Sequence, residues 1–276
     1  MRGEFVDVGG VRLYYYAAGT RGAGEPLVLV HGLFTSSRLW AGVVPCLPAG
    51  HRTVILDLLG HGRSDPPTAD SDLSVTGHAA RLVALLDALG AEQVCLAGHG
   101  IGATVAQALA VLHPARVTRL ALFNAVPLGE AGTAAGHLLR ALLPTAGAVP
   151  GPVLLGAVRR RLAAGYPETA RTNRQLEHFL RPFAGPAGRT TLVEQLRALA
   201  DGGDTALAEQ PMRTGMPTVV VAGESDPVAS LDDARALAER IPGATLEIVE
   251  GGGHYTPEES PERTATAIRH LLERPL

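Results

Sequence analysis

The stretch Val94-Cys95-Leu96-Ala97-Gly98-His99-Gly100-Ile101-Gly102-Ala103-Thr104 limits the folds open to this chain more than any other. An apolar, β-prone run ends in a knot of small residues and passes straight into a helical pattern, Ile101–Leu112. It therefore reads as a strand, a very tight turn and a helix start. In such a turn the middle residue is driven to positive φ, where glycine alone sits without strain. The helix start leaves backbone N–H groups unpaired and aimed at whatever occupies the turn. A tip of this kind presents a nucleophilic side chain or cradles an anion. Its apex is Gly100, which has no side chain.

Similar strand–helix units flank it. Phe5-Val6-Asp7-Val8, Gly9-Gly10 and residues 11–16 predict an antiparallel hairpin. Pro26-Leu27-Val28-Leu29-Val30 and Thr53-Val54-Ile55-Leu56-Asp57 are unbroken apolar runs, the pattern of strands buried on both faces. Ser36 or Ser37 is placed to cap a helix that carries Trp40 and Val43 inward. Residues 74–89 predict an amphipathic helix closed by Gly90. Residues 117–123 predict a strand ending at Asn124. Alternation then stops, and residues 127–212 are rich in glycine and proline, with helical patches at 154–162, 170–180 and 191–199. It resumes with a strand at 218–222, a helix at 231–241, a strand at 244–249 and a helix at 261–272. The expected fold is α/β: a mostly parallel eight-stranded sheet covered by helices on both faces. Residues 1–126 and 213–276 would form the core, and 127–212 a helical cap inserted after the sixth strand.

Bulk properties exclude several functions. A net charge of -3 gives no reason to expect nucleic acid or an anionic membrane as partner. All 24 basic residues are arginines, so Schiff-base chemistry on lysine is ruled out. Cys46 and Cys95 are expected to be buried and reduced, which suits a cytoplasmic protein, and residues 1–10 lack the apolar segment of a secretory signal. The uncharged run 141–158 contains Pro144, Pro150 and Pro152, so no membrane-spanning helix is expected there. A monomer or homodimer is expected.

Ligands of open α/β sheets bind beyond the carboxyl ends of the strands. The residues collected there are His31-Gly32-Leu33, His61, His99-Gly100-Ile101, Asn124, Asp226 and, on a triple-glycine loop, His254. Position 100, then an acid, then a histidine follows the chain order nucleophile–acid–base. With His31-Gly32, Asp57-Leu58-Leu59-Gly60-His61-Gly62-Arg63-Ser64-Asp65, Gly98-His99-Gly100-Ile101-Gly102, Gly223-Glu224-Ser225-Asp226 and Gly253-His254 in this order, the chain resembles the α/β-hydrolase superfamily over nearly its whole length outside the cap. The resemblance implies His254 as general base and Asp226 as the residue orienting it. It also implies an oxyanion hole formed by the N–H groups of Leu33 and Ile101. His31, Phe34, Trp40, His99, Asn124 and Tyr255 are then expected around the substrate, with neither cofactor nor metal.

The departure falls at the nucleophile, where Gly100 can form no covalent intermediate. What remains suits cofactor-free acid/base chemistry on a hydrophobic small molecule, plausible for a natural-product intermediate: cyclisation, elimination, isomerisation, epoxide opening or attack by activated water. Two other readings stay open at this point: a hydrolase whose nucleophile was replaced by Gly100 through engineering, and a non-catalytic binder. A dinucleotide fingerprint, Gly98-x-Gly100-x-x-Ala103, is set aside, since the turn comes late and the following strand ends in Asn124 rather than an acid. His61 and His99 are read chiefly as loop supports, Tyr14-Tyr15-Tyr16 as strand filling, and His137, Tyr166, Arg171, Arg174 and His178 as cap residues within reach of a substrate.

Overall fold

The computed structural model describes residues 2–19, 24–128, 149–167, 175–200, 207, 209, 210, 212, 213 and 215–276, without the side chains of 2, 199 and 200. Eight strands form one sheet: β1 (Arg2–Asp7), β2 (Arg12–Ala18), β3 (Leu27–Val30), β4 (Thr53–Leu56), β5 (Val94–His99), β6 (Val117–Phe123), β7 (Thr218–Gly223) and β8 (Thr245–Val249). Their order is β1-β2-β4-β3-β5-β6-β7-β8. β2 runs antiparallel to both its neighbours, and the other pairs are parallel. The crossover between β3 and β4 leaves β5 at the centre, with its carboxyl end beside that of β3.

Alternation along the central strands builds a core on each face. Val28, Val30, Val94, Leu96, Leu120 and Leu122 face one layer, with helices α1 (Val75–Ala88) and α2 (Ile101–Leu112). Leu27, Leu29, Cys95, Ala97, Ala121 and Phe123 face the other, with Trp40. Each large apolar side chain removed from water in this way contributes about 1.5–3 kcal/mol. Local signals set the helix ends: the Ser74 hydroxyl accepts from Gly77 N–H at 3.0 Å, and Gly90 follows α1 at φ 63°.

After β6 come the cap helices α3 (Gly151–Ala164), α4 (Gln175–Leu180) and α5 (Gly185–Ala200). They bury Leu162, Phe179, Leu192 and Leu196 in the same apolar cluster as Phe34 and Trp40. The chain then completes the sheet with α6 (Leu231–Arg240), the short α7 (Thr256–Glu259) and α8 (Pro261–Glu273). Residues 170–174 of the expected 170–180 helix lie outside the described residues.

Two expectations are corrected here. The helix expected from Ser36 is a pair of 3₁₀ turns, Ser37–Trp40 and Val44–Cys46, because Pro45 lacks the N–H that a continuing helix would need. Ser36 does cap the first of them. Both cysteines are free, but Cys46 is only half-buried. Among the described residues no helix is long and apolar enough to cross a membrane.

Candidate active site

The turn between β5 and α2 is held chiefly by backbone bonds, with the Thr104 hydroxyl also donating to Gly100 O at 3.5 Å. Gly100 N–H donates to Phe123 O at 3.0 Å, and Gly100 O accepts from Ala103 N–H and Thr104 N–H at 3.0 and 3.2 Å. Its neighbours must be glycine: a Cβ on Gly98 would lie 2.3 Å from Gly102 O, and one on Gly102 would lie 2.4 Å from His31 O. Gly100 is different. At φ 54° and ψ −122° it holds a conformation that costs another residue about 1–3 kcal/mol. Yet a Cβ there would meet nothing nearer than Gly32 Cα and His254 Nε2, both at 3.6 Å. The apex is strained but open.

Access follows the same outline. Leu33, Gly100 and Ile101 are half-buried, whereas Gly32, Phe34, His99 and Gly102 beside them are buried. The N–H groups of Leu33 and Ile101 donate to no acceptor among the described residues. Leu33 follows Gly32, whose Cα is one of the atoms nearest a Cβ on Gly100, and Ile101 follows Gly100 itself, so both unpaired N–H groups belong to the residues around the apex.

On the other side of that space lies His254, whose Nδ1–H donates to Asp226 Oδ2 at 2.8 Å. This bond leaves Nε2 as the bare nitrogen, and Nε2 is the atom nearest the vacant apex. Asp226 Oδ1 accepts from Val228 N–H at 2.7 Å and Ala229 N–H at 3.1 Å, and Oδ2 also accepts from Asn124 Nδ2–H at 2.9 Å. Burial pushes this carboxyl up, but the bond and charge of His254 and the two backbone donors outweigh it, holding Asp226 below the usual carboxylate range.

The backbone of His254 is fixed from three directions. Its N–H donates to Gly165 O at 2.7 Å, at the end of α3, and its C=O accepts from His99 Nε2–H at 2.7 Å. Glu259 accepts from the N–H groups on either side, Gly253 at 2.6 Å and Tyr255 at 2.8 Å. Burial, opposed by those two donors, raises the Glu259 carboxyl above its ordinary value. Asn124, at φ 49°, joins the two loops: its Nδ2 also donates to Gly253 O at 3.0 Å, and its Oδ1 accepts from the Thr256 hydroxyl at 2.5 Å.

Several residues expected around a substrate turn out to be framework. His31, Trp40 and His99 are 0% exposed, so none of them borders even a water-sized space. His31 accepts from Leu58 N–H through Nε2 at 3.0 Å and uses Nδ1 on Gly32 O at 2.8 Å. Trp40 packs edge-on against Phe123 at 5.6 Å. His99 sits against Gly32, whose Cβ would lie 2.4 Å from its Nδ1. Asn124 is committed to Asp226 and the His254 loop, as above. Phe34 and Tyr255 are buried too, Phe34 against Phe183 at 5.6 Å and Tyr255 stacked on Tyr166 at 4.3 Å. Tyr166, expected near a substrate, instead gives its hydroxyl to Glu258 at 2.6 Å. His61 is the loop support expected of it, accepting from Phe34 N–H at 3.2 Å. His137, Arg171 and Arg174 lie outside the described residues.

Sequence reasoning missed Glu259 and Gly165. Glu259 lies five residues after His254, close enough to have been noticed; Gly165 carries no local signal, since its partner is 89 residues away. Among the described residues no cluster of His, Cys, Asp or Glu is arranged to hold a metal.

Known proteins are similar to this chain over most of its length. A 2-hydroxymuconate semialdehyde hydrolase from a Pseudomonas species is 30% identical over 91% of this chain and 88% of its own. Epoxide hydrolase A of Mycobacterium tuberculosis is 27% identical over 98% of this chain and 96% of its own. Among solved structures, Est816, described as an N-acyl homoserine lactone degrading enzyme, superposes with a TM-score of 0.76 at 27% identity, covering 97% of this chain and 99% of that one. The model of the alpha/beta hydrolase family matches residues 27–267, from the first buried parallel strand to the last helix, and the chain belongs to that family.

Proposed function

We propose that this chain is a cofactor-free enzyme that works by proton transfer at His254, with Asp226 fixing the imidazole and the Leu33 and Ile101 N–H groups holding an oxyanion. No covalent step takes place at position 100. The single observation behind this reading is the open apex: Gly100 keeps the geometry of a nucleophile-bearing turn, with His254 Nε2 3.6 Å from where a Cβ would be, but supplies no nucleophile. A bare imidazole nitrogen facing two free N–H donors removes a proton from a bound group and stabilises the resulting enolate, phenolate or alkoxide. The reactions that fit are cyclisation, elimination, isomerisation and addition of water. The substrate is a hydrophobic small molecule, in keeping with the apolar cap, and the protein works in the cytoplasm.

A second reading is favoured by the hydrolases among its relatives. In it a water molecule occupies the space at Gly100, loses its proton to His254 and attacks the substrate directly. Both readings use the same groups.

Gly100→Ser and the unmodified chain, each treated with a fluorophosphonate and read by intact mass, test the site. Labelling of the serine form alone is expected, since a serine there gains a base and an oxyanion hole already in place. Labelling of neither form removes the proposed alignment of His254 with the hole. Labelling of the unmodified chain identifies another nucleophile and overturns the reading.

A further inference from the structure

The N–H groups of Leu33 and Ile101 belong to peptides whose oxygens are each held by three donors. A trans peptide is planar, so its C=O and N–H point in opposite directions, and whatever fixes the oxygen aims the hydrogen. For Ile101 that oxygen is Gly100 O, which accepts from Ala103 N–H at 3.0 Å, Thr104 N–H at 3.2 Å and the Thr104 hydroxyl at 3.5 Å. For Leu33 it is Gly32 O, which accepts from Thr35 N–H at 3.2 Å, the Thr35 hydroxyl at 2.7 Å and His31 Nδ1–H at 2.8 Å. His31 carries its proton on Nδ1 because its Nε2 accepts from Leu58 N–H at 3.0 Å. The two anchors differ in kind. Helix α2 holds Gly100 O with backbone, and the hydroxyl contact there is the longest of the three. Gly32 precedes a turn rather than a helix, and its two shortest bonds come from buried side chains.

We propose that Thr35, together with His31, is a positioning residue of the oxyanion hole: their bonds to Gly32 O aim the Leu33 N–H at the developing charge and strengthen it as a donor. This rests on the acid–base reading above, in which Leu33 and Ile101 hold that charge. Donors on a peptide oxygen draw electron density from its nitrogen, so the N–H of the same peptide binds an anion more tightly. The peptide after Leu33 is held as well. Phe34, at φ 58°, turns its N–H onto His61 Nε2 at 3.2 Å, so Leu33 is fixed on both sides by bonds to buried side chains. The hole is therefore asymmetric. Its Ile101 half is set by the start of a helix, whereas its Leu33 half depends on one hydroxyl and one imidazole that act through the Gly32 carbonyl.

The Gly100→Ser chain, treated with a fluorophosphonate over a range of concentrations, separates the saturated rate of phosphonylation from the half-saturating concentration. In that background Thr35→Val, which keeps the shape and deletes the hydroxyl, is expected to lower the saturated rate at least about tenfold, against about 10²–10³-fold for loss of a whole oxyanion donor. The half-saturating concentration should not move, and Thr35→Ser should restore most of the rate. Thr104→Val, which deletes the corresponding hydroxyl at Gly100 O, should cost less than Thr35→Val. A second measurement keeps Gly100 in place: in NMR spectra the Leu33 amide nitrogen should move upfield in Thr35→Val and return in Thr35→Ser, while that of Ile101 stays. The same spectra show whether each variant is folded, and Thr35→Ala makes the same deletion if the valine form is not. An unchanged rate in Thr35→Val, a loss that Thr35→Ser does not restore, equal losses in the Thr35 and Thr104 variants, or an unmoved Leu33 amide overturns the positioning role and leaves the acid–base reading intact. No labelling of Gly100→Ser overturns the acid–base reading, and the role of Thr35 with it.

Discussion

Four buried histidines make this fold sensitive to mild acid. His31, His61, His78 and His99 are no more than 2% exposed. Burial pushes His31 down to about 4 and each of the other three down to about 3. In the unfolded chain all four return to about 6.5. Between those values the unfolded state binds protons that the folded state refuses, so stability is fully present above pH 6.5 and is lost as pH falls. From pH 7.5 to 5 each histidine takes away about 2 kcal/mol, and the four together about 8 kcal/mol, against a typical total of about 5–15 kcal/mol. Asp57 and Glu259, raised by burial, act in the opposite sense as they protonate, so the comparison is confined to pH 5 and above. Urea unfolding at pH 7.5, 6.25 and 5, followed by fluorescence of the single tryptophan, Trp40, measures the loss. His78, whose Nδ1 has no partner among the described residues, is the control: His78→Phe should remove about a quarter of the pH dependence. A change below about 2 kcal/mol over the whole range, the share of one histidine, refutes the assignment of these rings as buried and neutral.

Other outcomes follow from the same contacts. Gly100→Ala should cost only the conformational strain of about 1–3 kcal/mol, while Gly98→Ala, forced to within 2.3 Å of Gly102 O, should cost more; thermal melts of the pair compare strain with collision. Glu259→Gln puts an amide N–H against one of two backbone N–H donors, so turnover by His254 should drop with little change in KM, and Glu259→Ala should not be milder. Equal kinetics in Glu259→Gln and the unmodified chain would show that the loop needs no such grip. Asp226→Asn turns an acceptor toward His254 into a donor, upsetting the tautomer with bare Nε2; a loss of about 10⁴-fold is expected in single-turnover assays.

The sheet was legible because its central strands are apolar without interruption, and only two-sided burial makes that pattern. Gly98-His99-Gly100-Ile101-Gly102 was legible for a steric reason, since the outer glycines stand where strand and helix touch. Asp226 and His254 announced themselves by position past β7 and β8. What could not be read was the division of labour among the remaining polar residues. His31, His99 and Asn124 look like site residues in sequence because they end strands, but each is spent on bonds between loops. Such bonds join residues distant in the chain and leave no period behind. The 3₁₀ turns at Ser37–Trp40 and Val44–Cys46 show the converse: helical spacing was present, and one imino acid cut it short.

The apex owes its shape to Phe123, Ala103 and Thr104 rather than to any atom of its own side chain. Another small residue there would meet no atom nearer than 3.6 Å but would carry backbone strain of about 1–3 kcal/mol. Glycine and serine codons of the GGY and AGY types differ by a single base. One mutational step can therefore carry such a gene between a chain with a hydroxyl at this turn and a chain without one.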